Sequence, residues 1–414
     1  LRPNRAMTLS PGSRGFVVAM VTAQILTQIG AFTLPALLPE MMARWSLSAT
    51  EAGWLIGVFF AAYVPAVPVL LSLTDRVPAR RIYLIGTGAT AAAHLGFAFF
   101  ADGFWGGLFF RALAGIGWAG AYMPGLKAIA DPLTGVAQSR AVAWHAAGVG
   151  IAGASSFALA GLCNALMGPG FAFLVAGLAA TGAFAIAMLI LPDAPPPKSA
   201  APRGLLDFRP VFANRRAMAW IAGYTVHTLE MAVLRAWAVA FLTASFLIQA
   251  PPAWLPDPTV LFTLAGLVGI ASSLAGNRLA ESLGRDRIVA IAMLSGAALS
   301  LVAGFAFGAS PFVVLLLVFL WNAAIYLDSS ALTAGTVQAA DPALRGATMG
   351  LHSMLGYAGG FVGPLLAGVM LDWAGGEGVA AWGIAFGHVA FIMLAGFAVL
   401  RWLGRGQDSP GAAR

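Results

Sequence analysis

Residues 53–73 read GWLIGVFFAAYVPAVPVLLSL, an apolar run that contains no charged side chain. A helix of about 20 such residues is long enough to cross a hydrocarbon core about 30 Å thick. Similar runs recur along the whole chain of 414 residues. We place the predicted membrane spans at 15–38, 53–73, 82–101, 105–129, 141–163, 171–191, 217–245, 258–280, 288–309, 311–334, 347–370 and 379–402. The sequence therefore predicts an all-α integral membrane protein with twelve transmembrane helices.

The composition supports this interpretation. Hydrophobic residues make up 60% of the chain and charged residues 9%, whereas charged residues are about 25% of a typical soluble domain. In a soluble protein, a net charge of +7 would point to a polyanionic partner. Here the basic residues lie in short loops between the apolar runs, where they orient the chain in the membrane. We therefore expect a lipid bilayer around the protein and no nucleic acid partner.

The distribution of basic residues predicts the orientation. If the N-terminus is placed in the cytoplasm, all but three of the 23 Lys and Arg residues fall on that side. The exceptions are Arg44 in an outer loop and Arg111 and Arg235 inside spans. Because cytoplasmic loops carry an excess of Lys and Arg, we predict that both termini are cytoplasmic. The first span lacks a convincing cleavage site, so we expect a retained helix in a multi-pass cell-membrane protein, such as one of the bacterial inner membrane.

The chain reads as two similar halves joined by a linker. The segment PDAPPPKSAAPR at 192–203 is rich in proline, which favours an extended connection. The tripeptide ADP occurs at 130–132 and again at 340–342, and other short matches recur at nearly the same offset. Such repetition indicates an internal duplication. We predict an N-terminal bundle of six helices, a cytoplasmic linker, a C-terminal bundle of six helices and a cytoplasmic tail, at 1–191, 192–216, 217–402 and 403–414.

The loop after the second span identifies a family. It reads LSLTDRVPARR at 71–81 and resembles the signature G-x-x-x-D-R-x-G-R-R of the major facilitator superfamily. The second half carries NRLAESLGR at 277–285, and the fourth span opens with RALAGIGWAG at 111–120; both are similar to motifs of that family. The resemblance implies two pseudo-symmetric six-helix bundles that alternate between inward-open and outward-open states around a site near the bilayer midplane.

The resemblance also implies that charged loop residues latch neighbouring helix ends in one state. In this sequence the predicted gating residues of the loops are Asp75, Arg76, Arg80, Arg81, Glu281 and Arg285. A latch has to break in every cycle, so hydrated ion pairs of about 1 kcal/mol or less suit it. The alternative for the arginines is that they only set the orientation of the chain, whereas this explanation does not extend to the acidic Asp75.

Four charged residues lie inside predicted spans and away from their ends, where charge costs about 2.5–3.5 kcal/mol on insertion scales. They are Arg111 in the fourth span, Glu230 and Arg235 in the seventh, and Asp328 in the tenth. In the family that the chain resembles, these spans line the central cavity. One interpretation is that Arg111 or Arg235 binds an anionic group while Glu230 or Asp328 carries a proton. The alternative is that the four residues form structural ion pairs between helices.

Uncharged polar residues in the spans extend this site. We predict that the substrate also contacts Gln24, Gln28, Asn322 and Tyr326. His227 lies three residues before Glu230 on the same helix face, so it joins the residues predicted to couple protons.

Two further histidines, His145 and His352, are 207 residues apart and occupy equivalent positions of the two halves. Imidazole titrates near neutral pH, so this pair could act at an inner gate. Helix packing is the alternative for both.

Together these features predict a secondary active transporter of a small polar or anionic organic solute, coupled to protons or another ion. The alternative is proton-antiport efflux of drugs or metabolites, and a third is a non-transporting membrane sensor. We find no nucleophile–base set, metal-ligand cluster or phosphate-binding loop in the sequence. We therefore expect no enzymatic activity, no cofactor and no metal, and we expect a monomer.

Overall fold

The computed structural model describes residues 9–74, 76–193, 208–376 and 378–405. Within these ranges the chain forms sixteen helices and no strand. The helices are α1 Arg14–Gln28, α2 Thr33–Ala36, α3 Leu38–Trp45, α4 Ala49–Leu73, α5 Ala79–Phe100, α6 Phe104–Ala130, α7 Gly135–Met167, α8 Pro169–Ile190, α9 Arg209–Ala213, α10 Arg215–Ile248, α11 Pro258–Leu283, α12 Arg285–Phe305, α13 Pro311–Leu327, α14 Ser329–Ala339, α15 Arg345–Trp373 and α16 Gly378–Gly404. This architecture confirms the predicted all-α fold.

Ten segments of the described chain are long and apolar enough to cross a membrane as helices. They are α4, α5, α7, α8, α10, α11, α12, the pair α13–α14, α15 and α16. The helices within the predicted spans 15–38 and 105–129 are not among these ten. The count of twelve spans therefore stays a prediction.

The predicted span 15–38 is not one continuous helix. α1 ends at Gln28, and two short turns precede α2. At this break Gly30 lies against α5, because a Cβ added there would come within 2.7 Å of His94 Nε2. The same imidazole lies 3.1 Å from the carbonyl oxygen of Gly30. Breaks of this kind survive in a membrane when side chains satisfy the freed backbone groups, which is the role that His94 has here.

The predicted span 311–334 is also interrupted. α13 ends at Leu327 and α14 begins at Ser329, so Asp328 lies between two helices rather than within one. Its side chain is nevertheless 1% exposed. The interruption therefore places the carboxylate of Asp328 in the protein interior. The backbone beside it does not continue the helix.

The helices group into two compact units. The first comprises the described residues within 1–47, 54–203 and 256–264, and the second those within 48–53, 204–255 and 265–414. In the first unit α5 packs against α6 and α8, and in the second α10 packs against α15 and α16. The predicted boundaries at 192–216 stay a prediction, since much of that range lies outside the described residues.

Candidate functional site

Two carboxylates are buried in the second unit, and each has a polar partner. Glu230 on α10 is 1% exposed, as is Asp328 at the break between α13 and α14. Trp321 Nε1 donates a 2.7 Å hydrogen bond to Glu230 Oε1. His227 Nδ1 lies 2.8 Å from Asp328 Oδ1, within ion-pair distance but without the angles of a hydrogen bond. Because a buried charge without a partner is costly, these contacts explain how the membrane interior tolerates both acids.

The pairing differs from the one that helical spacing suggests. His227 and Glu230 share a face of α10, so the sequence allowed a direct contact between them. In the structure His227 pairs with Asp328 instead, and Glu230 with Trp321. The reason is that α10 packs against both α13 and α14, so neighbouring turns of α10 meet different parts of the interrupted span.

A row of rings connects His352 to this cluster. Tyr224 stacks on His352 with ring centroids 3.8 Å apart and lies 5.8 Å from the ring of His227. Thr336 Oγ1 lies 3.1 Å from His352 Nδ1. The predicted gating histidine therefore belongs to the same cluster as His227 and Asp328. Sequence reasoning treated them as separate groups.

Arg235 and Tyr326, both predicted to contact substrate, lie together in the second unit. The half-buried guanidinium of Arg235 donates to the Tyr326 hydroxyl, and its Cζ is 5.6 Å from the ring centroid. Asn322, predicted for the same role, donates through Nδ2 to the carbonyl oxygen of Ala265 at 2.6 Å. The structure therefore brings the first two residues together and uses the Asn322 amide to hold α13 against α11.

Arg111 is the buried cation of the first unit, 3% exposed. Its Nε and Nη1 each donate at 3.3 Å, to the carbonyl oxygens of Leu55 and Ala31, and its Cζ lies 4.8 Å from the Phe59 ring centroid. Ala31 belongs to the break after α1, so the guanidinium satisfies backbone that the helix leaves open. In the described chain no carboxylate pairs with Arg111, which favours carbonyl binding within one unit over an interhelical ion pair.

Two polar side chains on α1 are buried with amide atoms that have no hydrogen-bond partner among the described residues. They are Gln24, through both amide atoms, and Gln28, through Nε2. Both are predicted substrate contacts. Because buried polar groups normally find partners, these atoms remain candidates for contact with a polar ligand.

His145, the sequence equivalent of His352, makes weaker contacts with its neighbours than His352 does. It is buried on α7 and stacks on Tyr122 with centroids 5.7 Å apart. Its Nε2 has no hydrogen-bond partner in the described part of the chain. The two histidines thus occupy equivalent positions but different environments.

The predicted loop residues of the first unit contact the end of α8. Arg80 donates to the carbonyl oxygen of Met188 at 2.7 Å, and Arg81 pairs with Asp193 at 3.3 Å. Arg76 is exposed. These contacts join neighbouring helix ends within one unit, and a role in gating stays a prediction.

Of the matching residues of the second unit, one makes a contact within its own helix and the other contacts a neighbouring helix. Glu281 accepts a 3.0 Å hydrogen bond from Asn277, one turn earlier on α11. Arg285 at the start of α12 donates to Gln338 on α14. Asp75, the acidic residue of the family signature, lies outside the described residues.

Sequence reasoning missed the neutral partners of the buried charges. Trp321 lies in the same predicted span as Asp328 but was not assigned to the site, and Tyr224 and Thr336 had no predicted role. Trp321 and Glu230 are 91 residues apart, so no local spacing connects them. Within the described ranges, no group of three or more His, Cys, Asp or Glu residues is suited to hold a metal ion.

The sequence matches known proteins over most of its length. The family model described as Major Facilitator Superfamily matches residues 20–261. Protein spinster homolog 1 of Homo sapiens is 26% identical over 263 residues, which is 62% of this chain and 49% of that protein. The chain therefore spans about half the length of this curated relative.

Solved structures share the fold. A mutant of the nucleoside transporter NupG has a TM-score of 0.77 at 12% identity, covering 94% of this chain and 100% of that one. A bacterial homolog of the human lysosomal transporter Spinster, inward-facing and unoccupied, has a TM-score of 0.72 at 16% identity, covering 95% and 96%. At such low identities the likeness concerns the fold alone.

Proposed function

The chain belongs to the Major Facilitator Superfamily, and we propose that it moves a small polar or anionic organic solute across the membrane by proton-coupled alternating access. Membership of this family supports a multi-pass membrane transporter with a small-molecule substrate. One observation carries the finer proposal. A single helix, α10, holds a half-buried cation, Arg235, five residues from a buried acid, Glu230.

Arg235 is the proposed anion contact. A guanidinium is planar and presents several donors, which suits a carboxylate or phosphate group. Partial exposure of Arg235 leaves part of this surface accessible, whereas Arg111 is enclosed by carbonyl groups.

Glu230 and Asp328 are the proposed proton carriers. Acids and histidines inside a membrane commonly form proton relays. Protonation of Asp328 would weaken its contact with His227, and protonation of Glu230 would remove the charge that Trp321 faces. Since Arg235 and Glu230 both lie on α10, solute binding and proton binding would act on the same helix.

The alternative, efflux of drugs or metabolites, has one observation in its favour. The first unit holds a cluster of aromatic rings in which Trp118 contacts Phe59, Phe60, Tyr63 and Tyr122, with centroid distances from 4.7 to 6.1 Å. Aromatic faces attract organic cations. A substrate that is cationic and lipophilic would therefore use the first unit rather than Arg235.

A thermal-shift screen separates these possibilities. Purified protein is tested with organic acids, amino acids, sugars, nucleosides and lipophilic cations at acidic and neutral pH, since a ligand of the folded state raises the melting temperature. We expect organic anions to stabilise the parent and Arg278→Gln, which removes an exposed arginine, but not Arg235→Gln. Equal stabilisation of Arg235→Gln would contradict the anion contact. Stabilisation by lipophilic cations alone would favour efflux.

Proton coupling is tested in proteoliposomes that contain a pH-sensitive dye. Addition of a solute identified by the screen should move protons across the membrane with the parent protein and with Asp102→Asn, an exposed control. Glu230→Gln and Asp328→Asn should abolish this movement. Unchanged proton movement in both variants would show that neither residue carries the proton.

A further inference from the structure

A basic cavity lies at one end of the second unit, away from the buried acids. It is formed where α10 and α12 begin and α16 ends, and its volume is about 120 Å³. Three arginines and one acid line it, namely Arg216, Arg401, Arg405 and Asp286. α16 packs against both α10 and α12, so the cavity is framed by helices that hold one another in place.

The charges around this cavity favour an anion. Among the described residues, Asp286 forms no ion pair with any of the three arginines, and a single carboxylate cannot neutralise three cations. The first turns of α10 and α12 add the partial positive charge of helix N-termini. Arg216, in the first turn of α10, is therefore repelled by the positive end of its own helix dipole. A bound anion would offset the repulsion among these positive charges.

Apolar side chains form part of the lining. Trp220 and Leu400 line it and are themselves buried. On the outer surface beside it, Trp402 is 60% exposed and stacks under the guanidinium of Arg215 at 5.2 Å, and Ile291 on α12 is 45% exposed. Exposed apolar side chains on membrane-spanning helices face lipid tails, and Trp and Arg favour the headgroup level.

We infer that this cavity binds the phosphate headgroup of an anionic phospholipid, whose acyl chains lie along the exposed apolar faces of α12 and α16. A phosphate matches the guanidinium groups in charge and geometry, and basic pockets between membrane helices are suited to such headgroups. The predicted cytoplasmic excess of basic residues accounts for arginines on this side. It does not account for their convergence around a cavity beside an apolar surface.

The source of the phosphate is tested with delipidated protein in neutral detergent. The melting temperature is followed with dioleoylphosphatidylglycerol, with dioleoylphosphatidylcholine, or with inorganic phosphate at matched ionic strength. Only the anionic lipid should produce the full stabilisation. An equal shift with the zwitterionic lipid would reduce the effect to acyl-chain binding, and an equal shift with inorganic phosphate would make the cavity a site for free anions. Either result overturns the inference.

A pair of matched variants tests the location. The variant Arg216→Gln/Arg401→Gln should bind the anionic lipid about 30-fold more weakly, since a basic residue near an anionic membrane surface contributes about 1 kcal/mol. The control Arg140→Gln/Arg345→Gln removes the same charge from exposed residues on the same predicted side and should bind nearly as the parent does. An equal loss in the control would show attraction by general surface charge and overturn the site.

Two additional measurements test the inference even if the double variant does not fold. Arg405→Gln alone changes one exposed side chain and should weaken binding of the anionic lipid about fivefold. Native mass spectrometry of the parent, offered both lipids together, should show preferential retention of the anionic one. Unchanged binding by Arg405→Gln, or equal retention of the two lipids, would contradict the inference.

Discussion

The two units bury charge in different ways. In the first, Arg111 is fixed by the carbonyl oxygens of Leu55 and Ala31 and by an aromatic ring. In the second, Glu230 and Asp328 face a tryptophan and a histidine. An arginine side chain keeps its proton in proteins, whereas carboxylates and imidazoles exchange theirs. The comparison indicates that the first unit holds a permanent charge and the second a variable one.

The largest effect on stability is expected when the buried carboxylate of Asp328 loses its partner His227. His227→Leu would leave the buried carboxylate of Asp328 unpaired, and breaking a buried pair in this way costs about 3 kcal/mol or more. The melting temperature in detergent should fall accordingly. Adding Asp328→Asn to His227→Leu should recover much of the loss, because the uncompensated charge is then gone.

His388 provides the control for this prediction. It also lies within a membrane helix, but its Nδ1 contacts the carbonyl oxygen of Ala385 in the same helix. His388→Leu should therefore cost no more than about 1 kcal/mol. If His227→Leu and His388→Leu melt at the same temperature, the contact with Asp328 contributes little to stability.

The next effect concerns the permanent charge of the first unit. A Cβ added at Gly115 of α6 would lie 2.0 Å from the carbonyl oxygen of Phe59, one turn after Leu55. Gly115→Ala should force α4 and α6 apart and destabilise the protein by about 3 kcal/mol. Gly106→Ala on the same helix, where the nearest atom is 3.4 Å away, should melt close to the parent. Equal melting of the two variants would contradict the close approach.

A smaller effect is expected when the surroundings of Glu230 change. A Cβ added at Gly296 of α12 would lie 2.5 Å from Glu230 Oε1. Gly296→Ala should therefore displace the carboxylate, break its bond with Trp321 and cost about 2 kcal/mol. A double-mutant cycle measures the coupling: the same change in a Glu230→Ala background should cost less. Equal costs in both backgrounds would mean that Gly296 does not act through Glu230.

The smallest effect compares the two equivalent histidines directly. His352 stacks closely on Tyr224 and contacts Thr336, whereas His145 stacks at a longer distance on Tyr122. His352→Ala should therefore be about 1 kcal/mol more destabilising than His145→Ala. Melting curves of both variants test this. A greater loss for His145→Ala would reverse the comparison between the units at this pair.

The fold followed from local properties of the sequence. The length of each apolar run and the positions of the basic residues between the runs are properties of short sequence segments. They predicted a helical membrane protein, which the structure and the family match confirm. The loop motif at 71–81 named the family correctly. The interruptions at Gly30 and at Asp328 were not predicted, because both spans are hydrophobic enough on average to read as continuous helices and their breaks depend on contacts with other helices.

The sequence nominated the candidate site residues, whose functional role stays a prediction, but it did not predict how they pair. The sequence by itself determined that Arg111, Glu230, Arg235 and Asp328 are charged residues within apolar stretches, because hydrophobic context is local and charges within it stand out. Only the tertiary structure decided that Asp328 meets His227 and that carbonyl groups enclose Arg111. Such partners come from helices distant in the sequence, and the packing of those helices, which no single segment encodes, selects among them.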